Sequence, residues 1–324
     1  MKAVIIEEFG GPEVLQYKDS PVPKYGEKEV LIKVTKTSVN YADIKNRTGR
    51  KAKGNFPIIL GLDLVGTIVE VGSDVKELEV GQRVIAFPRT GSYAEFAVAD
   101  AQLAFPIPEE IQDDIAAASP IVSILSYKLL KDVGRIVKGE SILIHSAAGG
   151  VGTTAIQLAR LLGAGTIIGT VGNTAKMDVA LDAGADHVFT YDDFSDKVLK
   201  LTNGYGVDVI LDSMSGKVAE DSIRCLADYG RLVHFGNSGG VAGDFKTTDF
   251  HASCRSVLGF SLGTTRKKRP YLLREAAEQV IRYLASGELN IVIGREYPLS
   301  NVKDAHQLME SRKHTGKILL HVDE

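Results

Sequence analysis

The stretch that most constrains this chain is residues 139 to 160, GESILIHSAAGGVGTTAIQLAR. It reads as a buried strand, a glycine-rich turn and the first turns of a helix. Ser141 to His145 is an apolar run of strand length, and from Val151 onward the apolar period changes, so that Ile156, Leu158, Ala159, Leu161 and Leu162 can share one helical face. Between them Gly149, Gly150 and Gly152 lack Cβ atoms. The backbone can therefore turn sharply, approach a ligand closely and let helix and strand pack tightly. The first N–H groups of the helix have no partner within it and, with the helix dipole, favour a pyrophosphate. A tight turn with no ligand is the alternative for a glycine triplet taken alone. Context favours a nucleotide: about 20 residues on, where a dinucleotide fold needs it, a second apolar strand from Thr166 to Thr170 ends in Val171, Gly172 and Asn173.

That strand end also bears on which nucleotide binds. An NAD site carries an Asp or Glu here to bond the ribose hydroxyls, and such a carboxylate would repel a 2′-phosphate. This chain has none at the position, and Asp178 falls well into the next helix. Lys176 begins that helix and offers a cation, although a solvated surface lysine is the plain alternative. The missing acid and the added cation point together to NADP(H).

The length of 324 residues suggests two domains. Many short strands punctuated by glycine and proline fill residues 1 to 117: Ala3 to Ile6, Val14 to Tyr17, Glu29 to Thr37, Val65 to Val71, Arg83 to Phe87 and Ala94 to Val98. Near Asp113 the pattern turns helical through Leu130. Five further strands, near Thr166, His187, Val207, Arg231 and Val257, then alternate with helices, which argues for a doubly wound parallel sheet. A helix from Tyr271 to Ser286 and a last strand, Lys317 to Val322, return to the first domain. The expected domains are 1–117 completed by 267–324, and 118–266.

A formal net charge of -3 gives no electrostatic reason to expect nucleic acid or an anionic membrane as a partner. The opening MKAVIIEEFG reads as a first strand and not a signal peptide, and no stretch is long and apolar enough to span a bilayer. Two cysteines, Cys225 and Cys254, fit a reducing, cytoplasmic setting. All seven histidines and both cysteines lie from His145 onward. Catalytic zinc takes nitrogen or sulfur ligands, usually three from the protein, so no metal site is expected on the first domain. Its Asp43 and Asp63 read as hydrogen-bonded structural acids.

At this point the chain resembles a family, the zinc-free quinone oxidoreductases similar to zeta-crystallin, within the medium-chain dehydrogenase/reductase superfamily. Gly139 to Arg160 agrees throughout with that family's signature. Further likeness runs through GGPEVL, NYADIKNRTG, FPIILGLDLVG, GSYAEF, GTVGNTAKM, GADHVFTY, GVDVILDS, GRLVHFGNSGG and ESRKHTGK. Where zinc-dependent relatives have glycine, histidine and glutamate, this chain has Gly61, Leu62 and Asp63. The resemblance implies an α/β chain: a GroES-like β-rich barrel, a Rossmann sheet with strand order 3-2-1-4-5-6, and an active site in the cleft between them. It implies that Asn40, Tyr41 and Asp43 line the nicotinamide side and that Gly149, Gly150, Val151 and Gly152 meet the pyrophosphate. Gly172, Asn173 and Lys176 would meet the adenosine ribose and its phosphate, with Tyr191 and Arg312 helping to hold the phosphate. Met214 and the run Ser238, Gly239, Gly240 and Val241 would lie at the carboxyl edge of the sheet.

The implied activity is hydride transfer from NADPH to a quinone-type acceptor without metal. Two alternatives stay open: an enone or enal reductase, in which Tyr41 donates a proton, and a protein that binds NADPH without turnover. Lys45 stands where some relatives have a tyrosine over the substrate, and Arg50, Lys51 and Lys53 make the following stretch unusually basic, so substrate preference stays open as well. The run Arg266, Lys267, Lys268, Arg269 reads as a solvated loop. The family also implies a homodimer joined through the edge strand 256–262.

Overall fold

Ile142–Ile144, with no exposed residue, is the centre of a six-stranded parallel sheet. It pairs with Ile167–Val171 on one side and Val207–Asp212 on the other. His187–Thr190 lies outside the former, and Leu226–His234 followed by Ser256–Gly259 lie outside the latter. In sequence order this is 3-2-1-4-5-6, the doubly wound arrangement expected. Strands with neighbours on both edges and helices on both faces must be apolar throughout, and Ile167–Val171 is buried at every position. The chain is described here from a computed structural model over residues 1–51 and 55–322. It divides into two compact units, 1–124 with 265–324, and 125–264. The division falls inside the helix Asp113–Tyr127, later than the change of pattern near Asp113 suggested.

The first unit is built around Glu29–Val39. One edge of this long strand pairs with Leu64–Val71. Its other edge is shared: residues 29–33 pair with Phe96–Asp100 and residues 36–39 with Lys317–His321. The C-terminal segment thus completes this unit. The sheet is not the closed barrel expected. Register shifts in Glu29–Val39 curl it, but among the described residues no ladder joins its end strands, Ile293–Pro298 and Ala104–Pro106. Because Glu29–Val39 spends one edge on two partners, the sheet branches instead of closing.

Other expectations shift locally. The segment read as a strand from Val14 begins as a 3-10 turn, Pro12–Val14, because proline sets the turn and donates no hydrogen bond; the strand is Gln16–Asp19. The helix near Asp113 continues past Tyr127 as a wider turn, Lys128–Val133. The edge strand stops at Gly259, since a helix, Leu262–Lys268, starts almost at once. Arg266, Lys267 and Lys268 therefore end a helix and do not form a loop. Lys53 lies outside the described residues. Among the described residues no helix is long and apolar enough to cross a membrane.

Candidate functional site

In the parallel-sheet unit the chemistry-bearing residues collect at the carboxyl ends of Ile142–Ile144 and Val207–Asp212. These two strands are neighbours from which the chain winds in opposite directions, the place where open α/β sheets bind ligands. Ser146 follows the first with a left-handed φ of 55°. Its N–H donates to the Tyr191 hydroxyl at 2.9 Å, and its Oγ donates to the Met214 sulfur at 3.2 Å. Ser238 Oγ reaches the same sulfur at 3.1 Å, and Gly239 N–H donates to the Met214 carbonyl at 2.9 Å. Four strand ends are tied together in this way. Gly240 N–H turns back to Asn237 Oδ1 at 2.7 Å, and Val241 is largely exposed.

The helix Gly150–Leu161 opens at Gly149 with no side chain capping it and no acid in its first turn. Its leading amides are left for a ligand. A Cβ on Gly152 would lie 2.6 Å from Ala147 Cα and 2.7 Å from its carbonyl carbon, so only glycine lets the helix start this close to the turn. Gly172 differs: a Cβ there meets nothing within 4 Å, and both it and Asn173 are exposed. Lys176 ends the short turn Thr174–Lys176 ahead of the helix Met177–Asp182, half-buried, with burial holding its ammonium below the usual lysine range. Open space, no carboxylate and a nearby cation fit an adenosine ribose carrying a phosphate.

Behind the turn are groups that sequence reading did not single out. Asp212 caps the amides of Met214 and Ser215 at 2.8 and 3.0 Å and bonds His234 Nδ1 at 2.9 Å. Burial works against its charge, but the bond from His234 outweighs this with the help of nearby charge and the two amides, and the carboxyl stays below its ordinary range. Buried His145 bonds Thr170 through Nδ1 at 2.7 Å and Ser222 through Nε2 at 2.8 Å. Since Ser222 Oγ already donates to the Val218 carbonyl, Nε2 carries the proton. His145, Tyr191 and Phe194 stack as an aromatic cluster that fixes Tyr191 under Ser146.

Burial pushes His145 down to about 4 from 6.5. The unfolded chain therefore takes up this proton first, and the stability His145 contributes is lost as pH falls through that window, by roughly 3 kcal/mol at most. We expect the unfolding free energy to drop more steeply between those pH values in the wild type than in His145→Asn. Parallel profiles would contradict this.

The other cluster lies in the first unit, on the helix Tyr41–Arg47. Asn40 caps it: its N–H donates to Asp43 Oδ2 at 2.9 Å, as in a capping box. The Asn40 amide is engaged at both ends, donating to Asp63 Oδ1 at 3.0 Å and accepting from Lys317 Nζ at 2.7 Å. Asp63 also takes Ser38 Oγ at 2.7 Å, so it is the hydrogen-bonded structural acid expected. Asp43 is fully buried and pushed up to about 7, by burial first and by the charge of Asp63, against the pull of the Asn40 amide. Tyr93 approaches it, but no hydrogen bond of ordinary geometry closes on Asp43 Oδ1 among the described residues. Tyr41 is half-buried, with Lys45 Nζ 5.3 Å from its ring centroid.

Arg312 belongs to this first unit, as the left-handed cap of the helix Val302–Ser311. The same segment brings His306, His314 and His321 into a unit whose leading part has no histidine. Among the described residues no three His, Cys, Asp or Glu side chains are placed to hold a metal.

Comparison with known proteins agrees with both units. Residues 26–109 match the alcohol dehydrogenase GroES-like domain, and residues 150–282 match the family described as zinc-binding dehydrogenase. Over 311 residues, 92% of this chain, it is 34% identical to the mycocerosic acid synthase-like polyketide synthase of Mycobacterium tuberculosis, but it spans only 14% of that protein's length. It is 34% identical to quinone oxidoreductase 1 of Escherichia coli across 97% of each chain. The crystal structure of Escherichia coli quinone oxidoreductase complexed with NADPH superimposes with a TM-score of 0.92 at 32% identity, covering 99% of this chain and 100% of that one. Its sheet order, its glycine turn and these full-length likenesses place this chain in the quinone oxidoreductase family of the medium-chain dehydrogenase/reductase superfamily.

Proposed function

We propose that this protein uses NADPH to reduce a quinone-type acceptor without a metal. The observation that carries the reading is the end of Ile167–Val171, where Gly172 and Asn173 leave open space, no carboxylate intervenes and Lys176 follows. Bound NADPH supplies the hydride. The chain's own part is binding and orientation. Amides at the start of Gly150–Leu161 take the pyrophosphate, Lys176 pairs with the 2′-phosphate, and Ser146, Met214 and Ser238 to Val241 shape the sheet edge beneath the cofactor. A hydroquinone oxygen takes its proton from water, so no dedicated acid is required on the substrate side, formed by Asn40 and Tyr41.

Lys176→Ala is expected to weaken NADPH binding by about 1 to 3 kcal/mol, the scale of a charge-assisted hydrogen bond, with NADH binding almost unchanged. Fluorescence titration of both cofactors checks this. Equal losses for the two would mean that Lys176 does not read the phosphate.

One observation favours the second reading, an enone reductase. Asp43, pushed up to about 7, holds a proton part of the time near neutral pH on the helix that begins with Tyr41. If that helix protonates carbon, Tyr41→Phe should cost enone turnover about a hundredfold or more while sparing quinone turnover. Similar modest losses with both acceptors would leave the quinone reading in place.

A further inference from the structure

A buried carboxylate at the carboxyl edge of the parallel sheet has one ionisable base bonded to it. Asp212 closes the strand Val207–Asp212, and its side chain has no exposed surface. Its Oδ1 accepts the amides of Met214 and Ser215 at 2.8 and 3.0 Å, and its Oδ2 accepts from His234 Nδ1 at 2.9 Å. These bonds hold a strained turn, since Ser215 takes a left-handed φ of 66° without being glycine. The turn is joined in two steps to the glycines taken to hold the pyrophosphate. Ser146 Oγ donates to the Met214 sulfur at 3.2 Å, and Gly149 N–H donates to the Ser146 carbonyl at 3.0 Å, where the helix Gly150–Leu161 begins.

A carboxylate beside an anion site repels the anion, and where water is excluded that repulsion is weakly screened. Something positive must offset it, and the surroundings of Asp212 leave one group for the task. His145, after the strand Ile142–Ile144, stays neutral above about 4. The helix Gly216–Arg224 packs on the strand Leu226–His234, but its charges are engaged: Lys217 pairs with Asp221 at 2.7 Å, Arg224 with Asp196 at 2.7 Å, and Glu220 accepts the Asp244 amide. Arg231, earlier in the strand of His234, pairs with Glu140 at 2.7 Å. The strand Ser256–Gly259 and residues 235–243 carry no titratable side chain. His234 donates from Nδ1, so its second proton sits on Nε2, and with 39% of the side chain exposed the ring exchanges that proton with solvent. The bond to Asp212 and its charge hold the imidazolium above the ordinary 6.5, against partial burial. The ring is therefore charged at lower pH and becomes neutral as pH rises through that raised value, while Asp212 stays ionised.

We propose that His234 is a positioning residue for the cofactor: as imidazolium it neutralises Asp212, so that the turn 212–215 keeps its shape without repelling the dinucleotide phosphates, and NADPH affinity falls as the ring loses its second proton. The inference rests on reading the glycine turn as the pyrophosphate site. It explains how a carboxylate is tolerated at an anion-binding edge, and it gives a role to a histidine that the hydride-transfer scheme does not use.

The test is the ratio of NADPH dissociation constants, His234→Asn over wild type, from fluorescence titrations at about pH 6 and about pH 9. Asparagine keeps a donor for Asp212 and lacks the charge. Taking the ratio at each pH cancels the titration of the cofactor's own 2′-phosphate. The ratio is expected to be at least about fivefold at the lower pH and to approach one at the higher. A ratio that is the same at both, whatever its size, marks a merely structural role and overturns the inference. Reciprocally, bound NADPH should move the NMR titration of the His234 ring in the wild type to higher pH, a measurement that does not depend on any variant folding. An unmoved midpoint overturns the inference as well. If the wild type binds no NADPH at either pH, the cofactor reading fails and this inference with it, whereas binding with a constant ratio removes the inference alone.

Discussion

Gly152→Ala is expected to destabilise the parallel-sheet unit by about 3 kcal/mol, the upper end for an atom forced into packed backbone, and to abolish tight NADPH binding. The added methyl lies 2.6 Å from Ala147 Cα and 2.7 Å from its carbonyl carbon, and no rotamer change relieves a clash with main chain. The helix start must move away from the turn, which spoils the amide cradle as well as the packing. Gly149→Ala is the comparison: its Cβ approaches nothing closer than 3.3 Å, at the Ser146 carbonyl, so its cost in stability should stay under about 1 kcal/mol. Urea denaturation and NADPH titration of the two variants check this. Equal stabilities would show that the tight contact relaxes freely.

The second large effect is expected at Arg47, whose side chain is fully buried. Its guanidinium donates to the Gly10 carbonyl at 3.1 Å and to His306 Nδ1 at 3.1 Å, and it pairs with Glu310 at 2.5 Å. Because Nδ1 accepts, Nε2 of His306 carries the proton toward the Tyr93 hydroxyl at 3.2 Å. Burial and the Arg47 charge push His306 down to about 3, so it stays neutral in this network. Arg47→Ala leaves the Glu310 carboxylate, the Gly10 carbonyl and His306 without their shared donor. A loss of about 3 to 5 kcal/mol follows, the scale for breaking a buried pair from one side. Glu310→Gln should cost less, because the Gln oxygen can still accept from the Arg47 guanidinium and the Gly10 and His306 bonds remain. A loss under about 1 kcal/mol for Arg47→Ala, in chemical denaturation, would contradict the account. The consequence for function is direct, since Arg47 pins the helix that carries Tyr41 and Asp43.

The parallel-sheet unit was legible in the sequence because its signals are local. Glycines mark the turn, apolar runs of strand length mark buried strands, and the end of Ile167–Val171 follows at the distance a dinucleotide fold sets. The first unit was less legible. Whether its sheet closes depends on how Glu29–Val39 divides its edge between Phe96–Asp100 and Lys317–His321, segments far apart in the chain. No periodicity reports that choice. The same holds for the buried polar groups. Asp43 and Asp63 were visible as acids, but the partner they share, Asn40, is held in turn by Lys317 from the far end of the chain, and these groups come together only on folding. Arg266 looked like part of a solvated loop because Lys267, Lys268 and Arg269 follow it, and only the Leu62 carbonyl and the Phe87 ring identify it as a fixed cation.

The most direct measurement follows absorbance at the reduced-nicotinamide band while a quinone is added to the purified protein with NADPH or NADH, before and after dialysis against a strong chelator. The account predicts quinone-dependent oxidation of NADPH, at a kcat/KM at least about tenfold above that with NADH, and unchanged by the chelator. Oxidation that stops when metal is removed, equal use of NADH, or tight NADPH binding with no quinone reduction would each contradict it.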